Sequence, residues 1–262
     1  MKVVILCGGK GTRLREETEY RPKPMVMIGD RPMLWHIMKL YAHYGHTDFV
    51  LCLGYKGDMI KEFFKNYLWN TCDVTLSLGH SPDARFHNSH PEEDWTVTLA
   101  ETGADSMTGE RIRRIQPYIE PDERFLLTYG DGLADIDIQA SIAAHEASGR
   151  ICTLSAVHPV SRFGTLDLDP DGGVNAFAEK PQLDDAFVNG GFMVCQSPIF
   201  NYLEGLDNPV FEQEPLGRLA RDGQLNAYRH KGWWQAMDTY RESQMLNELW
   251  DSGKAPWKFW AS

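Results

Sequence analysis

VVILCGGKGTRL, residues 3–14, begins with an unbroken apolar run, Val3-Val4-Ile5-Leu6-Cys7, and passes at once into Gly8, Gly9 and Gly11. An apolar run without alternation is expected of a strand covered on both faces, and a glycine-rich loop at its carboxyl end is where open α/β sheets bind ligands. Glycine lets backbone N–H groups come close to phosphate oxygens. Two familiar phosphate loops fail at single positions. A dinucleotide fingerprint starting at Gly9 requires glycine where Leu14 stands, which removes the case for a nicotinamide-dependent oxidoreductase. A P-loop requires Gly-Lys-Ser/Thr, and here Lys10 is followed by Gly11. What remains is G-G-x-G-T-R-L, then Arg21-Pro22-Lys23-Pro24. Arg13 offers a planar fork for polyphosphate oxygens, and Lys23 a compact charge in a stiff Pro-Lys-Pro setting, suited to a single phosphorus centre. Glycines alone also make tight turns; the placed arginine and lysine argue for phosphate.

Outward from this stretch, apolar runs alternate with helical periodicity, the pattern of an α/β sheet. Pro32 can open a helix in which Leu34, Ile37, Met38 and Tyr41 form one stripe, with Gly45 as its stop. Residues 49–53 read as a second strand and 58–67 as a second helix, with Ile60, Phe63 and Phe64 inward. Between residues 71 and 99 the pattern changes to alternation (Val74, Leu76, Leu78; Trp95, Val97, Leu99), which reads as a hairpin-like excursion. Residues 108–116 are helical, and residues 125–129 form a buried strand ending in Gly130-Asp131-Gly132. Asp137 can cap a helix ended by Gly149, before a strand over 151–157. Residues 165–195 carry short alternating strands and glycines, and helices return near 197–203, 214–221 and 240–250. With no repeat or low-complexity linker, residues 1–262 read as a single domain.

Composition limits the function classes. The chain has 262 residues, 42% of them hydrophobic, and a formal net charge of −11. That acidity argues against affinity for nucleic acid or an anionic membrane. No stretch has the length of a membrane span or a signal-peptide core, so a cytoplasmic protein is expected. The five cysteines are scattered without a C-x-x-C pair and read as reduced, mostly buried thiols. His80, His87 and His90 lack the partners of a zinc site. Arg111, Arg113 and Arg114 form a basic group without interleaved aromatics. Five of the eight tryptophans lie in the last thirty residues, as core packing or an intersubunit contact.

LCGGKGTRL followed by KPM resembles the signature of the sugar-1-phosphate nucleotidyltransferases, and TGADSMTGERIRR, TYGDG, MDTYRES and GKAPWKFW are similar to the cytidylyltransferase branch. The resemblance runs through the whole chain. Cys7 stands where alanine is common, Lys10 is at a variable position, and Arg21 replaces a common lysine; none of these departures removes a group that the chemistry needs. The resemblance implies a Rossmann-like fold: a mixed, mainly parallel sheet with helices on both faces, plus a small β-rich sugar-binding portion. Residues 1–135 would mainly bind nucleotide, 136–240 sugar phosphate, and 240–262 form a C-terminal helix and Trp-rich tail.

It further implies that CTP lies across Leu6, Cys7, Gly8, Gly9, Lys10, Gly11, Thr12 and Arg13, with Lys23 and Gly130, and that Arg13 and Lys23 are catalytic. Joining two anionic phosphates calls for cations, and Mg²⁺ often takes only one or two protein carboxylates. Asp131, at a strand end, and Asp238, before a helix, fit such a pair; their plain alternatives are a turn aspartate and a helix N-cap. Gly164, Glu179, Lys180, Asn189 and Gly191 correspond to the sugar-phosphate site, where Lys180 would pair with the attacking phosphate; otherwise Glu179 and Lys180 are a surface pair and the glycines a bulge. Ser106 and Arg111 would aim donors at cytosine O2 or N3. From the residues alone they read as an ordinary helix start and a solvated arginine; the resemblance reverses that. The expected partners are CTP and a sugar 1-phosphate, in a homo-oligomer, trimer or hexamer, feeding surface-polysaccharide synthesis. A uridylyl- or thymidylyltransferase, a cytidylyltransferase for another phosphorylated acceptor, and a non-catalytic sugar-nucleotide sensor remain the competing readings.

Overall fold

Val3–Leu6 (β1) lies in the middle of the main sheet because it can be covered on both sides. Val3 and Ile5 join one core, with Leu34, Ile37 and Tyr41, whereas Val4 and Leu6 join the other, with Ile112, Phe200 and Phe211. Each such side chain contributes about 1.5–3 kcal/mol when fully buried. The computed structural model describes residues 1–12, 14–79, 83–87, 92, 94–119, 124–159, 165–178 and 186–260.

The other strands of the sheet are Asp48–Leu53 (β2), Thr96–Glu101 (β3), Arg124–Tyr129 (β4), Cys152–Val157 (β5), Val188–Asn189 (β6), Met193–Gln196 (β7) and Leu225–Arg229 (β8). β1 pairs in parallel with β2 and β4, β2 with β3, and β5 with β8, while β7 runs antiparallel to both β4 and β5. The sheet is therefore mixed and mainly parallel, as expected. Ala156 pairs with Asn189 but Thr153 with Val194, so the chain bulges between β6 and β7, at Gly191 (φ +78°) and Phe192 (φ +46°). Met33–His43 (α1) and Ile138–Ser148 (α3) pack on one face, and Thr108–Arg114 (α2) and Glu214–Arg221 (α4) on the other. Asp137 accepts the Ala140 N–H at 2.9 Å and Gly149 (φ +62°) ends α3, as expected from the residue types.

Two readings change. The alternating residues Val97 and Leu99 belong to β3, paired with β2, rather than to the hairpin, which among the described residues is Asp73–Ser77 with Asp83–His87. This strand is the edge of the sheet, with Val97 and Leu99 packed on one core and Ala100 buried in the other. Phe63 is only half-buried, whereas Ile60 is fully buried. For Asp238 the plain alternative of a helix cap drops out, because Thr239 caps Tyr240–Asp251 (α5) in a capping box with Glu242. The Trp-rich tail packs intramolecularly. Trp257 is fully buried, stacks on Trp233 at 5.2 Å and donates to His36 Nδ1 at 3.4 Å, while His36 Nε2 donates to the Ile28 carbonyl at 3.0 Å. That arrangement fits neutral imidazole, whose pKa burial lowers to about 4. No helix among the described residues is long and apolar enough to cross a membrane.

Candidate active site

The carboxyl ends of β1, β2 and β4 meet at one edge. Cys7 N donates to Cys52 O at 3.1 Å and Gly130 N to Leu6 O at 3.0 Å, so the sheet's hydrogen bonding continues into the loops. Residue 130 must be glycine: a Cβ there would stand 2.8 Å from Pro24 Cγ and 2.9 Å from Leu6 O. The short 3₁₀ turn Lys23–Met25 follows, and it points the Lys23 ammonium into the edge. Lys23 Nζ donates to Asp131 Oδ2 at 2.9 Å and to Asp238 Oδ1 at 2.7 Å. Gly132–Ala134 pairs antiparallel with Trp234–Ala236, and Met237 N donates to Asp131 O at 2.8 Å; this ladder carries the two aspartates together. Asp238 is not the helix cap, since Thr239 does the capping. Burial pulls the Lys23 pKa down, but Asp131 and Asp238 more than offset it, so the ammonium is held above its ordinary value.

Arg111 supports the glycine loop from beneath. Only 3% exposed, it donates through Nη1 to Leu53 O (3.0 Å), Thr102 Oγ1 (2.8 Å) and Gly103 O (2.8 Å), and through Nη2 to Gly8 O (2.9 Å) and Ala104 O (3.4 Å). Gly8 and Gly54 flank the guanidinium; a Cβ would lie 2.1 Å from Nη1 at the first and 2.3 Å at the second. A cage of neutral oxygens thus replaces a counter-ion, and desolvation lowers the Arg111 pKa from its ordinary value. Above the cage opens a cleft of about 300 Å³. Its floor is Leu6, Cys7, Gly8, Gly9, Gly11 and Thr12; Ser106, Met107, Thr108 and Arg111 line one wall, and Lys23, Pro24, Tyr129, Gly130 and Asp131 the other.

Residues 2–239 match the family model described as nucleotidyl transferase. The chain belongs to the nucleotidyl transferase family. Glucose-1-phosphate cytidylyltransferase of Salmonella typhi is 51% identical over 261 residues, covering 99% of this chain and all of the relative, and the enzyme of that name from Salmonella typhimurium is equally similar. Among solved structures, HddC from Yersinia pseudotuberculosis is 25% identical with a TM-score of 0.67, covering 95% of this chain and 99% of that one.

For this nucleotidyltransferase, the structure brings Leu6, Cys7, Gly8, Gly9, Gly11, Thr12, Lys23, Ser106, Arg111, Gly130 and Asp131 to one cleft. Asp238 joins them through Lys23. Lys10 points outward, where its ammonium meets Asp105 at 2.9 Å with both side chains exposed. Ser106 donates to the Thr102 carbonyl, and the Nη1 and Nη2 groups of Arg111 are engaged by backbone carbonyls and the Thr102 hydroxyl. The Cys7 thiol is pushed well up by burial and is no nucleophile. Asn189 and Gly191 form the bulge beside Tyr129. Arg13, Gly164, Glu179 and Lys180 lie outside the described residues. Among the described residues no group of three or more histidines, cysteines or acids gathers as a metal site. Two carboxylates already converging on one cation still suit Mg²⁺, which keeps several waters. Sequence reading missed Gly54, Tyr129 and Glu212. Gly54 stands at a strand end, a signal like that of Gly8, whereas Glu212 carries none.

Proposed function

We propose that this chain transfers a cytidylyl group from CTP to α-D-glucose 1-phosphate, releasing pyrophosphate. The observation that carries the proposal is the Lys23 ammonium, delivered from the glycine-loop region to two carboxylates, 108 and 215 residues away in sequence, at the mouth of the cleft. The relatives named cytidylyltransferase support the choice of base and sugar.

An oxygen of the sugar phosphate forms a bond to the α-phosphorus, and the bond from that phosphorus to the β-bridging oxygen breaks. The attacking phosphate is already ionised, so no general base is required. The backbone of the loop cradles the triphosphate, and Gly130 allows the chain to pass close beneath it. Asp131 and Asp238 would hold Mg²⁺, which when bound offsets the negative charge of the phosphates. Lys23 now satisfies both carboxylates; with a metal on them its Nζ is available to stabilise charge at the α-phosphorus. Arg13 toward the departing pyrophosphate, Lys180 toward the attacking phosphate, and Gly164 and Glu179 around the sugar complete the proposal on resemblance alone. Arg111 shapes the wall against which cytosine lies. The thiols of all five cysteines are free, which supports a reducing, cytoplasmic setting.

The test is pyrophosphate release measured for CTP, UTP, dTTP and GTP, each with several sugar 1-phosphates and Mg²⁺. CTP with glucose 1-phosphate should give the highest kcat/KM. A preference of tenfold or more for another pair sinks this choice of substrates, and release by none favours the sensor reading.

A further inference from the structure

Tyr129 ends β4, directly before Gly130 and Asp131, and it is engaged from three directions. Its hydroxyl donates to Glu212 Oε1 at 2.6 Å and accepts from Asn189 Nδ2 at 3.1 Å. Asn189 Oδ1 in turn accepts from Gly191 N at 3.0 Å, so the Asn189 side chain ties the bulge together from within. The Tyr129 ring fills the space that glycine leaves at 191, where a Cβ would stand 2.9 Å from Tyr129 Cδ2. On the opposite side, Glu212 Oε2 accepts from Thr108 Oγ1 at 2.6 Å, and Thr108 Oγ1 accepts from Phe211 N at 2.9 Å. Pro209 O accepts from Gly109 N at 2.9 Å, and Asn208 Oδ1 accepts from Met107 N at 2.8 Å. Residues 208–212 therefore clasp the turn that forms the base-side wall of the cleft.

We propose that Tyr129 and Glu212 are positioning residues that couple the two walls: through the phenol, Glu212 sets the sugar-side bulge at Asn189 and Gly191 in register with the base-side turn at Met107 and Thr108. The inference rests on the functional reading above for which wall meets which substrate, but the linkage itself is a property of the free protein. Both bonds to Glu212 have a carboxylate acceptor and are stronger than neutral ones, which makes the bridge more than incidental. Tyr129 is also bonded into the strand that presents Asp131, so the bridge references both walls to that carboxylate.

The experiment compares wild type, Y129F, E212A and E212Q as full chains, by hydrogen–deuterium exchange without ligand and by steady-state kinetics. Tyr129→Phe keeps the ring and removes only the bridging oxygen. E212A should speed exchange both at residues 105–110, which it touches, and at residues 188–192, which it reaches only through Tyr129. Y129F should speed exchange at 188–192. Both should raise KM for the sugar phosphate about fivefold with kcat within about twofold, the signature of lost ground-state positioning. E212Q, which keeps one acceptor oxygen, should fall between. Exchange in E212A that changes only at 105–110, or a sugar-phosphate KM within twofold of wild type in both Y129F and E212A, overturns the coupling. If the wild type prefers another nucleotide, the choice of CTP falls, while the exchange comparison and the KM measured with that nucleotide still decide this inference.

Discussion

Two buried cations frame the cleft, and they are held in opposite ways. Lys23 sits between carboxylates, Asp131 and Asp238, that come from distant parts of the chain. Arg111 sits among the carbonyls of Gly8, Leu53, Gly103 and Ala104 and the Thr102 hydroxyl, none of them charged. Carboxylates on side chains can be handed to another cation, so the Lys23 pairing is exchangeable. Carbonyls held by strands and tight loops have nowhere to go, so the guanidinium is a permanent strut. The first arrangement suits chemistry and the second suits shape.

The largest effect should come from removing the strut. Arg111→Ala leaves several buried carbonyls without donors and should destabilise the fold by about 3 kcal/mol or more, read as a lower midpoint in urea. A loss under about 1 kcal/mol would mean that Arg111 is not structural and that the contrast fails.

Acid should act on neither cation but on buried neutral imidazole. The His36 pKa is lowered by burial to about 4, so the unfolded state binds the proton first as pH falls below the ordinary value near 6.5. Stability from this group is therefore full above that value and lost progressively down to about 4, with about 2 kcal/mol gone at pH 5. His36→Gln keeps a donor and an acceptor and should flatten the acid limb of a Tm–pH curve. An unchanged limb would move the effect to other groups, such as His46, also lowered to about 4 by burial.

Lys23→Ala should lower turnover at least tenfold, or about 1.4 kcal/mol. Its raised pKa means that its ion pairs are fully present below the ordinary lysine value and are lost only at higher pH, so its contribution is flat through neutrality. The variant leaves two carboxylates facing each other, so Mg²⁺ should raise its Tm more than that of wild type. Full turnover refutes the catalytic role, and an equal Tm response refutes the exchangeable pairing. The smallest effect concerns Asp238. Thr239→Ala should cost about 1 kcal/mol by removing the cap of α5 without weakening metal binding. If Mg²⁺ affinity measured by calorimetry falls with it, capping and ligation are not separate.

Much of the site was legible because local chemistry carries it. The glycine loop after a buried strand, the Pro-Lys-Pro turn and the aspartate at a strand end each announce themselves within a few residues. Thr239-x-x-Glu242 was equally legible as a capping box and would have freed Asp238 from that role. The edge-strand nature of residues 96–101 was not, since alternation is shared by hairpins and edge strands. Nor was Glu212, whose neighbours show no period and whose partners, Thr108 and Tyr129, are 104 and 83 residues away.

The sequence by itself determined the chemical vocabulary: an α/β sheet, a phosphate loop of unfamiliar type, and the lysine and carboxylates that a phosphoryl transfer needs. Only the tertiary structure decided which charges meet. It placed Lys23 between Asp131 and Asp238 and spent the donors of Arg111 on carbonyls. The reason is geometric: strand ends and one short ladder bring these groups together over 108 and 215 residues, distances at which no local pattern constrains a side chain.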